Sequence, residues 1–284
     1  MDLKKAIIEL YLRCATDLPS DAEESLRKAL DNEDSLAAET LSRILENIKV
    51  ARQGKIPICQ DTGTPIFYIN YPKDYTQKEL KEIITKATIE ATELIPLRPN
   101  AVDSITGINS KNNTGVNVPV FYFEEGDKLE IDLMLKGGGS ENIGMIYKLP
   151  DSSLNAGRDI DGIRKCVLDA MVKAQGKGCA PNILGVAIGG SKDVLSKLSK
   201  MQLLRKLNDK NPDPELDRLE KKLTDQINTL GIGPNGTGGK TTCLGVKIIK
   251  THRHPASFFV DVSFLCWAAR RRRLIINGED YIIE

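Results

Sequence analysis

No Cys-x-x-Cys pair and no compact ferredoxin spacing occurs among the six cysteines of this chain, at positions 14, 59, 166, 179, 243 and 266. That absence argues against a zinc ribbon, a thioredoxin-type site and a ferredoxin. Nothing approaches the roughly eighteen consecutive apolar residues that would span a bilayer, so no membrane segment is expected. An excess of one charge is missing too: 40 basic residues face 39 acidic ones, for a net charge of +1. Without a global field, nucleic acid and anionic membranes are not expected partners. The start, Met1-Asp2-Leu3-Lys4-Lys5, runs into a charged helical pattern rather than a signal peptide, and the reading is a cytoplasmic protein. Such a chain does not need disulfides, and each cysteine is judged by its surroundings.

With 284 residues and 40% apolar content, there is enough chain for one large core or two modest ones. The first fifty residues read as a helical layer. Ile7, Leu10, Tyr11 and Cys14 share one helical face, Ser20 and Glu23 form a capping-box pattern, and Leu41, Ile44, Leu45 and Ile48 repeat the period. Ile66–Ile69 is a strand candidate. Thr76 and Glu79 cap a helix whose face carries Leu80, Ile83, Ile84, Ala87, Ala91 and Leu94. Residues 118–123 and 129–135 read as a hairpin turned by Glu125-Gly126-Asp127. Asp159 or Asp161 opens a helix that buries Ile160, Ile163, Val167, Ala170, Met171 and Ala174, with Cys166 beside that face. An apolar strand, 183–188, ends at Gly189-Gly190-Ser191, where Ser191 caps the next helix; strand, glycine turn and helix start together make an anion site or simply a cap. Residues 205–228 read as charged and helical, broken at Asn211-Pro212-Asp213-Pro214. The whole is expected to be α/β (α+β mixed): strands interleaved with helices behind a helical start, more than one small sheet, and one domain over 1–284.

Ile58-Cys59-Gln60-Asp61-Thr62-Gly63 sets a thiol in a turn between Pro57 and Pro65, beside an amide and a carboxylate. That combination suits metal ligation and proton handling, or a turn in which Asp61 bonds its own backbone and Cys59 packs. Arg98 sits in an irregular segment, and an arginine fork suits a carboxylate ligand. Lys136-Gly137-Gly138-Gly139-Ser140-Glu141-Asn142 reads as a close-approach loop or a flexible crossover. Gly231–Thr242 is glycine-rich, yet Gly233 leaves five residues before Gly239-Lys240 where the Walker pattern needs four. A helix precedes this segment and a strand follows, the reverse of a P-loop, so a nucleotide triphosphatase is not the leading reading. His252 and His254 alternate on extended backbone, which predicts that one of them faces a site. Arg270–Arg273 is read as a solvated or subunit-facing surface.

Sorted by context, Cys14, Cys166 and Cys243 fall within regular patterns, whereas Cys59, Cys179 and Cys266 sit in loops beside glycine, proline or polar turns. Six stretches in order, Ile58–Gly63, Lys136–Asn142, Gly178–Asn182 with Gly189–Ser191, Gly238–Thr242, His252–Ser257 and Cys266–Ala268, resemble the class I fumarases and related tartrate dehydratases. The likeness is to their N-terminal half, the separate alpha subunit of two-subunit enzymes, and it spans nearly the whole chain. The resemblance implies a hydro-lyase of the fumarate hydratase type, a tricarboxylic acid cycle activity, carrying an oxygen-sensitive 4Fe-4S cluster held by Cys59, Cys179 and Cys266. It implies Gln60, Asp61, Arg98, Gly137, Gly138, Gly139, Ser140, Glu141, Asn142 and His254 on the substrate side, with Asp61 and His254 in catalytic roles and a small dicarboxylate as substrate. The family's C-terminal half is absent from the sequence, so a beta subunit is the expected partner, with an alpha–alpha contact giving a heterotetramer. L-tartrate dehydratase, a non-catalytic module and a phosphate-binding module stand as alternatives.

Overall fold

A computed structural model describes residues 2–284; Met1, where the expected domain begins, lies outside the described residues. In chain order the elements are α1 (Leu3–Thr16), α2 (Ser20–Asn32), α3 (Ser35–Gly54), β1 (Thr64–Tyr71), α4 (Gln77–Leu94), β2 (Val120–Glu125), β3 (Glu130–Lys136) and α5 (Gly138–Asn142), followed by β4 (Met145–Lys148), α6 (Ile160–Ala174), β5 (Asn182–Gly189), α7 (Lys192–Gln202), α8 (Pro214–Asn228), β6 (Cys243–Lys250), β7 (Phe259–Leu265), β8 (Arg271–Asn277) and β9 (Asp280–Ile283). This is the mixed α/β composition with two sheets that the sequence pattern calls for. Among the described residues no helix is long and apolar enough to cross a membrane.

Two compact units emerge. Unit 1 comprises Met1–Pro19, Glu46–Gly138 and Arg270–Glu284; unit 2 comprises Ser20–Leu45 and Gly139–Ala269. Unit 1 holds a five-stranded sheet in the order β2-β1-β3-β8-β9. Helix α1 packs on α4, β3 and β8 because Ala6, Ile7, Leu10 and Cys14 recur at helical spacing and are fully buried. Thr76 and Glu79 close a reciprocal capping box at the start of α4. Phe67, Ile131, Leu133 and Leu135 fill the sheet side of this core.

The segments 118–123 and 129–135 are strands but not a hairpin. β1 lies between them, parallel to β2 and antiparallel to β3, in register Phe67↔Phe121 and Phe67↔Leu133. Phe67 is fully buried and stacks on Phe121 at 5.8 Å, so β1 gains partners on both edges that a local turn would have denied it. The turn at Gly278 is a hairpin, joining β8 to β9.

Unit 2 holds a four-stranded sheet in the order β4-β7-β5-β6. β5 is buried at every position, as a strand covered on both faces must be. Helix α7 packs against β5 and β7, and α8 against β6 and α6. Asp159 caps α6 by accepting from the Gly162 N–H. Ser191 occupies the N-cap position of α7 without a cap hydrogen bond. The residues from Arg205 to Asp213 are not helical; the helix begins at Pro214, where proline's fixed φ is pre-organised, and Asp213 caps it.

Candidate functional site

Cys59 is half-buried in unit 1, on a turn whose root is fixed at Ile58. The Ile58 N–H donates to the Ala15 carbonyl at 2.9 Å, and its own carbonyl accepts from Asn47 Nδ2 at 3.0 Å. Gln60 is exposed beside it. Asp61 is the hub of this region. Its Oδ1 accepts from the Gly63 N–H and from Asn100 Nδ2, each at 2.8 Å, and its Oδ2 accepts from the Gly138 N–H at 2.8 Å. The turn reading of Asp61 therefore holds, and the carboxylate also ties in two further loops. Gly63 is required here: φ is +81°, and a Cβ would meet the backbone of Leu135 and Lys136 at 2.8 Å.

Two residues that sequence reasoning missed complete the hub. Asn100 orients the carboxylate, and its own N–H is held by Asn113 Oδ1 at 2.7 Å. Arg270 Nη1 donates to the carbonyls of Asp61 and Thr62. Reading Arg270–Arg273 as a solvated run is thus incorrect. Arg270 and Arg271 are 2% and 5% exposed, Arg272 donates to Asp17 and to the Leu18 carbonyl, and Arg273 pairs with Asp132. A charge run beginning at the mouth of a strand can be spent on backbone carbonyls, which composition does not reveal. Arg98 is exposed, and its guanidinium has no partner among the described residues.

Of the glycine-rich stretch, Gly137 is buried and Gly138–Asn142 forms a short helix rather than a flexible crossover. Glu141 pairs with Lys200 at 2.5 Å. In unit 2, Gly139 and Asn142 line an open depression of about 350 Å³ together with Ile143, Lys173 and Lys177. Ser140 is buried.

Both histidines line a second open depression of about 630 Å³ in unit 2, with Ser191, Lys192 and Ser257. Alternation put them on opposite sides, but residues 251–254 lie outside any strand. The loop turns instead, pinned by Arg158 donating to the carbonyls of Pro255 and Ala256 and by Arg253 donating to those of His254, Pro255 and Ser257. His254 Nδ1 accepts from the Ala256 N–H at 3.1 Å, which leaves Nε2 to carry the proton of the neutral ring. The glycine-rich segment 231–242 joins α8 to β6, not a strand to a helix, in agreement with rejection of a P-loop. The N–H groups of Lys240 and Thr241 donate to the Glu33 carboxylate.

Cys179 is exposed and Cys266 half-buried, both in unit 2. Cys179 has φ +55°, a left-handed conformation that costs a non-glycine residue on the order of 1 kcal/mol. Its carbonyl accepts from the Trp267 N–H at 3.1 Å, so the two cysteine loops touch. By contrast Cys14, Cys166 and Cys243 are 0%, 0% and 2% exposed, and burial pushes each thiol up to about 12. They are neutral packing residues.

These raised values have a consequence for stability. A thiol that stays protonated in the fold stabilises it fully below the unfolded-state value, and the contribution is lost as pH rises toward the folded one. Cys243→Ala removes one such group. Between about pH 9 and 12 the native chain should lose roughly 1.4 kcal/mol per pH unit more than this variant. Urea titrations at several alkaline pH values check it; parallel pH slopes would contradict the assignment.

For the iron–sulfur cluster implied by the resemblance, the donor chemistry fits: three loop thiols, soft ligands not spent in the packed cores. Among the described residues no group of three or more His, Cys, Asp or Glu side chains stands close enough to hold a metal ion.

A family model described as fumarate hydratase (fumerase) matches residues 4–275 and so runs through both units. A protein named "Putative fumarate hydratase class I" from Geobacillus stearothermophilus is 46% identical over 276 residues, covering 95% of this chain and 54% of that protein. The chain thus spans about half the length of that relative. A "Putative L(+)-tartrate dehydratase subunit alpha" from Methanocaldococcus jannaschii is 38% identical over 279 residues, 95% of this chain and 96% of the relative. The L(+)-tartrate dehydratase subunit alpha of Escherichia coli O157:H7 is 32% identical over 282 residues, 98% and 91% of the two chains.

Proposed function

Because the chain belongs to the fumarate hydratase (fumerase) family, we propose that it is the alpha part of an iron–sulfur hydro-lyase that interconverts fumarate and L-malate. The observation that carries this reading is the division of its thiols, three buried and neutral, three on loops. Cys59, Cys179 and Cys266 are the ligands of a 4Fe-4S cluster. When bound, the cluster supplies a Lewis-acidic iron for the hydroxyl of the hydroxy acid.

The chain's own residues then bind and orient. Arg98, exposed and unpartnered among the described residues, presents a fork suited to a substrate carboxylate. His254 offers Nε2–H to an anionic oxygen, its Nδ1 being already engaged. Asp61, held by three donors, keeps one orientation and accepts or steers a proton from a base supplied by the other half of the enzyme. Gln60 and the Gly137–Asn142 stretch complete the substrate side.

Two relatives named subunit alpha support a beta-type partner that completes the enzyme, and the pair assembles as a cytoplasmic heterotetramer through an alpha–alpha contact. Two relatives named tartrate dehydratase subunit alpha cover this chain almost end to end, which favours L-tartrate as the second candidate substrate. Anaerobic reconstitution tests the cofactor. About four iron and four sulfide per chain are expected, and a chain that takes up neither would refute the reading.

A further inference from the structure

Asn182 is the first residue of β5, is fully buried, and belongs to no role described so far. Its Nδ2 donates to the Gly178 carbonyl at 2.8 Å and to the Leu265 carbonyl at 3.4 Å. Those carbonyls belong to the residues immediately before Cys179 and Cys266. One amide group therefore spans the roots of both cysteine loops, and the Trp267 N–H closes the same bridge from the other side through the Cys179 carbonyl. Asn182 Oδ1 has no hydrogen-bond partner among the described residues, although it is buried. A buried acceptor left unpaired is unfavourable, so stability alone does not account for an asparagine here. A primary amide carries two N–H donors on one nitrogen and can tie two carbonyls at once. Asparagine is the shortest that does so.

We propose that Asn182 is the positioning residue for the Cys179–Cys266 pair: its amide fixes the separation of the two loops so that both thiols serve one ligand. The proposal rests on the ligand set given under Proposed function, but its geometry lies wholly within unit 2. Gly178 carries the same logic. A Cβ there would meet Ile143 Cδ1 at 2.1 Å and Asn182 Nδ2 at 3.3 Å, so alanine at this position moves the Ile143 side chain and crowds the amide that grips the Gly178 carbonyl.

The test uses the full cluster-free chain carrying Cys59→Ser and dibromobimane, which becomes strongly fluorescent only when its two arms alkylate two neighbouring thiols. Bridging of Cys179 and Cys266 is expected in this background and is lost in Cys179→Ser or Cys266→Ser. Adding Asn182→Ala should slow bridging about tenfold while single alkylation by monobromobimane and the far-ultraviolet circular dichroism stay near the parent's. Gly178→Ala, which leaves Asn182 in place, should do the same and serves if Asn182→Ala does not fold. Unchanged bridging in a folded variant, or no bridging in the parent, would overturn the proposal. Bridging that depends on Asn182 in a chain that never takes up iron would refute the cluster and leave the clamp standing.

Discussion

Replacing Cys59, Cys179 or Cys266 by serine is expected to abolish the visible absorbance and the EPR signal of the anaerobically reconstituted chain. The same change at Cys14, Cys166 or Cys243 should leave both intact. The contrast follows from burial: the second three thiols are at most 2% exposed and their pKa is pushed to about 12, so they offer no thiolate to a metal at neutral pH. Serine is a poor ligand for iron in these clusters, and losing one corner should lower the hydration activity measured with the beta-type partner present by at least about 10³-fold. The buried series should instead register as stability, a loss of roughly 1–3 kcal/mol for placing a hydroxyl in an apolar site. A loop variant that retains its spectrum would remove that residue from the ligand set.

Glu220→Ala is expected to cost roughly 3–5 kcal/mol of stability, the largest such effect outside the apolar cores. Glu220 is 4% exposed, and its Oε1 accepts from Arg205 Nη1, Asn211 Nδ2 and the Ile248 N–H, each at 2.7 Å. Alanine strands all three donors, one of them a guanidinium. Arg205 would keep Asp209, to which it donates through Nε and Nη2 at 2.9 Å. Asp209 in turn holds the buried Lys247 at 2.6 Å. The penalty is thus one N–H of the Asn211 amide, which keeps the Ile248 carbonyl at 2.8 Å, the Ile248 N–H, and a half-neutralised arginine. Glu220→Gln preserves one acceptor and should lose less. Urea unfolding measures both; a change below about 1 kcal/mol for Glu220→Ala would mean that the network relaxes onto water.

What the sequence made legible follows from local physics. The faces of α1, α4 and α6 and the strands β5 and β6 are periodic and bounded by caps, glycines or prolines, and they appear where expected except at the helix ends, where Leu94 of α4 and Ile160 of α6 are exposed. The partner of a strand is not a local property. β2 and β3 flank β1 because Phe67 is buried with neighbours on both edges, a preference no turn signal carries. The hub at Asp61 was half legible: the turn was readable from Asp61 and Gly63, but Asn100 and Arg270 reach it from distant segments. Asn182 was printed in the Cys179-Ala180-Pro181-Asn182 motif, yet only tertiary structure brings the Leu265 carbonyl to its amide. The alternation argument failed at His252 and His254 because Arg158 and Arg253 bend that loop by gripping its carbonyls.

The most direct test of the central claim is an anaerobic hydratase assay of the reconstituted chain, alone and with a beta-type partner of the family, on fumarate, L-malate and L-tartrate. The account predicts no turnover by the chain alone, and interconversion of fumarate and L-malate once the partner is added. Turnover by the chain alone, or a reconstituted complex inert toward all three acids, would contradict it.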